Sequence, residues 1–231
     1  MATLPRSALK RRIRALLPRL EAAYGPFEVP RSDPVEESVL TLLSHNTNDR
    51  LRDLAYARLR ERFPTWEEVR TAPYAEVVEA VAVCGLGPAK AANIQAFLQG
   101  LHDEVGAYTL DFLKGKSYEE ADAWLSRFAG MGPKTRAVVL LFSTLDLPAF
   151  PVDTHIHRIA GRLGLIGPKV GREEAHEILR PAVPDEKKYS FHVGLIQHGR
   201  LTCTARLAKC GSCPVAGLCE KNGVGPDGRP R

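Results

Sequence analysis

The 231-residue sequence has no apolar run long enough to cross a bilayer. The longest uninterrupted one, Ala137 to Phe142, falls far short of the roughly 20 residues a spanning helix needs. The start lacks an apolar stretch as well. Met1-Ala-Thr-Leu-Pro-Arg-Ser-Ala-Leu-Lys-Arg-Arg puts cations where an export signal needs hydrophobic residues, so a cytoplasmic location without membrane association is expected. Long low-complexity stretches are missing, and 44% hydrophobic with 26% charged residues suffices for a core. That excludes disorder as the default state and points to one large or two modest domains. Nor does any segment alternate polar and apolar residues for long enough to suggest a sheet.

What is present reads at helical period almost throughout, so the fold class is all-α. Ser7 to Leu20 places Leu9, Ile13, Leu16, Leu17 and Leu20 on one face. Asp33 can cap a helix with Pro34, Glu36 and Glu37 in its first turn and Val35, Val39, Leu40, Leu42 and Leu43 as its apolar stripe. Further helices are predicted over Asp49–Phe63, Tyr74–Val83, Pro88–Leu101, Tyr118–Phe128, Pro133–Leu145, Thr154–Leu163, Glu173–Leu179 and Tyr189–Gly199. The tail from Asn222 to Arg231, rich in Gly, Pro and Arg, is expected to fray.

The net charge is +5, and 22 of the 32 cations are Arg, whose planar fork matches phosphate oxygens. Against 27 acidic residues this leans only modestly towards an anionic partner. The cysteines are sharper. Cys84 stands apart and reads as a buried thiol, whereas Cys203, Cys210, Cys213 and Cys219 follow the pattern C-x6-C-x2-C-x5-C. In a reducing cytosol such crowding argues for metal rather than disulfides. Structural zinc sites usually pair two close-spaced knuckles across a longer loop, and here a single C-x2-C is flanked by lone cysteines, so a [4Fe–4S] cluster fits better. Arg206 and Lys209, between the first two cysteines, could face a phosphate backbone.

Two segments look alike: Gly85-Leu-Gly-Pro-Ala-Lys90 and Gly130-Met-Gly-Pro-Lys134. Each sets a glycine turn before a Pro at a helix start, the arrangement of a hairpin between helices. Lys134 comes two residues after its second glycine and Lys90 three, a rotation of about 100° on a helix, so the two lysines cannot face the same way. In Gly130 to Thr135 the glycines permit positive φ and a close approach by another backbone, and the helix start offers free N–H groups to an anion such as a DNA phosphate. A plain turn with a solvated lysine is the competing reading. Pro151-Val152-Asp153-Thr154-His155 likewise reads as a helix cap, and a capping carboxylate can also point into a cleft.

Together these features resemble the endonuclease III branch of the helix-hairpin-helix DNA glycosylases. Those proteins carry a hairpin L-P-G-V-G-x-K-T-A, then V-D-T-H-I, then the same four-cysteine spacing. Here they read Phe128-Ala-Gly-Met-Gly-Pro-Lys134-Thr-Arg-Ala137, Val152-Asp-Thr-His-Ile156 and the four cysteines, agreeing in order and spacing from Leu42 to Cys219. The resemblance implies a six-helix barrel over 27–146 and an iron–sulphur domain from 1–26 with 147–231, with a DNA-binding cleft between them. It implies Lys134 as nucleophile and Asp153 as catalytic carboxylate. Asn46, preceded by His45, matches the loop residue that fills the hole left by an extruded nucleotide, and Leu86 the residue that wedges into the opposite strand. Gly130, Gly132 and Thr135 belong to the phosphate-binding hairpin.

The implied reaction is removal of oxidised or ring-reduced pyrimidines from duplex DNA by a monomer, followed by strand cleavage at the abasic site. Such a base cannot be reached inside the stack, so it is swung out at a cost of a few kcal/mol. An apolar wedge offsets part of that cost. Several residues depart from the family pattern: Ala129 for the usual proline, Asn46 for a glutamine, and His157 where an aromatic is frequent. A monofunctional adenine or mismatch glycosylase is the alternative, against which Lys134 weighs. A catalytically silent DNA-binding protein is a third reading, opposed by the pair Lys134 and Asp153. The histidines His102, His176, His192 and His198 read as surface or core residues rather than ligands.

Overall fold

The computed structural model describes residues 4–231, and among them the regular elements are helices, with isolated bridges such as that of Ser32 with Ser143 outside them. No described helix is long and apolar enough to cross a membrane. The chain divides into two compact units, Pro30–Leu147 and the rest, which joins the chain up to Val29 to Pro148–Arg231.

The first unit contains α2 (Pro34–Leu43), α3 (Asp49–Arg62), α4 (Trp66–Thr71), α5 (Tyr74–Val81), α6 (Gly87–Val105), α7 (Tyr118–Leu125) and α8 (Pro133–Phe142). Most of these helices begin on a side chain that accepts a first-turn N–H. Asp33 Oδ1 accepts from Val35 at 2.9 Å and Glu36 at 3.0 Å, and Asn48 accepts from Leu51. Thr65 with Glu68 and Ser117 with Glu120 form capping boxes. α5, α6 and α8 are different, for no side chain caps any of them. α2 packs on α8 and α6 on α5, α4 and α2, burying Val39, Leu42, Ile94, Phe97, Leu98, Val139 and Leu140. Each such side chain contributes about 1.5–3 kcal/mol through its removal from water.

The second unit holds α1 (Arg6–Tyr24), α9 (Thr154–Leu163), α10 (Arg172–Leu179) and α11 (Lys188–Leu201). α11 lies on α1 and α9. Leu9, Ile13, Leu16 and Leu20 of α1 share a core with Phe150, Ile156, Ile159, Phe191 and Leu195. Arg12 secures α1 to the last cysteine segment, donating to Glu220, to the carbonyl of Leu163 at 2.6 Å and to that of Leu218 at 3.0 Å.

Two expectations are corrected. α4 has no counterpart in the periodicity, because six residues are too few to carry one, although its Thr65–Glu68 box is visible in the sequence. The tail is ordered rather than frayed. Gly223 and Gly228 take positive φ, Gly225 donates to Arg229 O at 2.7 Å, and Val224 is buried. Gly228 O in turn accepts from Ala208 at 2.7 Å, so the tail braces the cysteine loop.

Candidate functional site

Within the first unit three segments converge: the end of α2 with the loop that follows it, the start of α6, and the hairpin leading into α8. Gly130 makes the convergence possible, since at φ +81° a Cβ there would lie 2.6 Å from the Asn93 amide and 2.8 Å from Leu42. Gly132 is different: its φ of −66° suits any residue, and nothing lies within 4 Å of its Cβ position. An open face thus stands before an uncapped helix start with Pro133 in its first turn. Free N–H groups and the positive end of the helix dipole suit it to a phosphate. Lys134, half-buried, projects from that first turn.

Thr135 is buried, and its hydroxyl is engaged 2.9 Å from His45 Nε2, so only its backbone N–H remains for an outside anion. One residue beyond Lys134 on the helix, the Thr135 side chain turns inward. The same bond ties the His45–Asn46 loop to α8. Burial, and then the charges of Lys134 and Lys90, hold the His45 pKa below its ordinary value. Asn46 follows exposed at φ 52°, and Leu86 is 55% exposed at φ 53°. Only four non-glycine residues among those described have positive φ, and these are two of them. Asn tolerates that conformation better than Leu, for which such backbone costs on the order of 1–3 kcal/mol. An exposed leucine held in strained backbone offers no folding benefit in return.

In the second unit Asp153 is the N-cap of α9, and its Oδ1 accepts from Ile156 N at 2.7 Å. Among the described residues its other oxygen carries no hydrogen bond, so the cap and a free carboxylate oxygen coexist. His157, on the same helix, places Nε2 2.8 Å from the Val170 carbonyl, a bond that a hydrocarbon aromatic could not make. α9 also reaches the cysteines through Arg158 and Arg162, which the sequence reading passed over despite their one-turn spacing. Arg158 donates to Gly199 O and Cys203 O. Arg162 is buried and donates to Cys203 Sγ at 3.3 Å and Thr204 O at 2.7 Å.

Cys203, Cys210, Cys213 and Cys219 are free thiols that line one cavity with Arg162, His198 and Val224. Among the described residues no three His, Cys, Asp or Glu side chains stand close enough to chelate a single ion. Burial raises the Cys213 and Cys219 thiols, and the neighbouring sulfurs add to that. His198, buried beside Arg158, is pushed down to about 4, and its Nδ1 lies 2.9 Å from the Tyr24 hydroxyl. Arg206 and Lys209 are exposed on the Cys203–Cys210 loop, whose tip is closed by Thr204 bonding Leu207.

The HhH-GPD superfamily of base excision DNA repair proteins matches residues 39–184. The chain belongs to this family. Endonuclease III of Escherichia coli (strain K12) is 34% identical over 193 residues, which are 84% of this chain and 86% of that one. A candidate DNA glycosylase of Arabidopsis thaliana is 36% identical over 197 residues, 79% of this chain and 67% of its own. A solved structure of a trapped endonuclease III–DNA covalent intermediate aligns with a TM-score of 0.77 at 28% identity, covering 92% of this chain and 96% of that one. Within the superfamily the chain falls in the endonuclease III family, and it is a base excision repair enzyme. The matched span contains His45, Leu86, Lys90, Gly130, Lys134 and Asp153, while the four cysteines lie beyond it.

Proposed function

We propose that this endonuclease III family member is a DNA glycosylase and abasic-site lyase that removes oxidised or ring-reduced pyrimidines from duplex DNA. The reading rests above all on Lys134, set in the first turn of the uncapped α8 behind the open Gly132. The related endonuclease III trapped covalently on DNA supports it. A phosphate seated on the α8 N-terminus would bring a neighbouring sugar to that amine. Once neutral, the amine attacks C1′; the new C–N bond forms as the glycosidic bond breaks, and the base leaves with a proton. The free Asp153 carboxylate oxygen stabilises the cationic sugar or takes a proton. Opening of the sugar ring then gives an imine between Lys134 and C1′. Loss of a C2′ proton breaks the C3′–O bond and cuts the strand. Asn46 fills the vacated stack and Leu86 wedges the opposite strand.

The four free cysteines suit a [4Fe–4S] cluster, because all four line one cavity and thiolate is the ligand such a cluster takes. When bound, the cluster would cross-link these segments and fix the loop that carries Arg206 and Lys209. Protein purified without chelators is therefore expected to be brown and to hold about four irons per chain by elemental analysis. A colourless protein with one zinc would contradict the assignment. The catalytic reading is tested by incubating the protein with an abasic-site duplex and sodium borohydride. A covalent protein–DNA adduct is expected; its absence would favour a monofunctional glycosylase.

A further inference from the structure

The second lysine of the paired motifs has a place that the proposed chemistry does not use. Lys90 is only 2% exposed, yet its ammonium meets no carboxylate among the described residues. Its Nζ donates to the Cys84 carbonyl at 2.8 Å and lies 3.2 Å from Cys84 Sγ. A buried cation without a counter-ion destabilises a fold, and an unbranched apolar side chain of similar length would fill the space without that penalty. The ammonium therefore does something that a hydrocarbon cannot.

What it does is visible in the turn it spans. Residues Cys84, Gly85 and Leu86 reverse the chain between a 3-10 turn and α6, with Gly85 at φ 72° and Leu86 at φ 53°. The backbone closes this turn by Gly85 N donating to Ala82 O and Lys90 N to Leu86 O, both at 3.0 Å. Those bonds end on the Ala82 and Leu86 carbonyls, so neither holds that of Cys84. Lys90 reaches back six residues to that carbonyl from inside the protein. We infer that Lys90 is a positioning residue, a buried clasp that holds the Leu86 turn in its left-handed conformation so that the leucine stands out ready to enter the opposite strand. This rests on the reading of Leu86 as the wedge.

Full-length Lys90→Met, Leu86→Ala and the double variant test it with two readouts. In free protein, amide hydrogen exchange at Gly85 and at residue 90, the two bonded amides of the turn, should quicken at least tenfold in Lys90→Met while the α8 amides keep their rates. With a duplex carrying a tetrahydrofuran abasic analogue opposite 2-aminopurine, the fluorescence rise on binding should fall at least threefold in each single variant. In the double variant it should fall no further. Lys90→Gln, which keeps a donor on a shorter stem, should act in the same direction and serves if the methionine variant does not fold. Unchanged exchange at the turn would overturn the clasp whatever the fluorescence does. Independent losses that multiply in the double variant would overturn the link to the wedge. A full fluorescence rise in Leu86→Ala would remove both the wedge reading and the clasp's purpose.

Discussion

Lys134→Gln is expected to abolish covalent trapping and to lower strand cleavage at abasic sites by about a thousandfold or more, a loss of about 4 kcal/mol of transition-state stabilisation. The amide keeps most of the length of the side chain and can still hydrogen-bond, so affinity for an abasic duplex should stay within about threefold. The proposed phosphate seat is made by the backbone N–H groups of α8 and the open Gly132, neither of which the substitution alters. Its buried neighbour Thr135 keeps its bond to His45, so the local fold should survive. Gel-resolved trapping and single-turnover cleavage give the measurement. A variant that still traps at the parental rate would place the nucleophile elsewhere.

Asp153→Asn should reduce base excision by about a hundredfold to ten-thousandfold, the range typical of a lost acid–base or charge-stabilising group. The substitution separates the observed cap from the proposed catalytic role of the same side chain. Asn caps a helix about as well as Asp, so the Ile156 N–H keeps its acceptor and unfolding free energy should change by less than about 1 kcal/mol. Asp153→Ala loses charge and cap together and should cost about 1 kcal/mol more in stability, with no greater catalytic defect. Excision rates on a single-lesion duplex, read beside thermal unfolding, distinguish these contributions. An asparagine variant with normal activity would make Asp153 a cap and nothing more.

Much of this arrangement is legible in the sequence because it is local. Helical period and cap chemistry locate α2, α8 and α9, and the position of Lys134 relative to Gly132 and Pro133 fixes its turn of the helix. Lys90, at its different offset, is buried, whereas Lys134 is half-buried. What Lys90 faces is a carbonyl from outside its own helix, which no spacing rule reveals. Thr135 shows the limit in the other direction: the motif identifies it, but only packing against His45 shows that its hydroxyl is already engaged. α4 is too short for periodicity to register. The tail is held by glycine turns and a bond to Ala208, so its composition alone suggested fraying where long-range pairing provides order.

The proposed chemistry turns on one amine, that of Lys134, bonding to the deoxyribose. The most direct test is to reduce the abasic-site complex with borohydride, digest it, and locate the sugar remnant by tandem mass spectrometry. The modification is expected on Lys134 in the peptide that spans Gly130 to Arg136. A remnant on Lys90 or on the chain's amino terminus would contradict it.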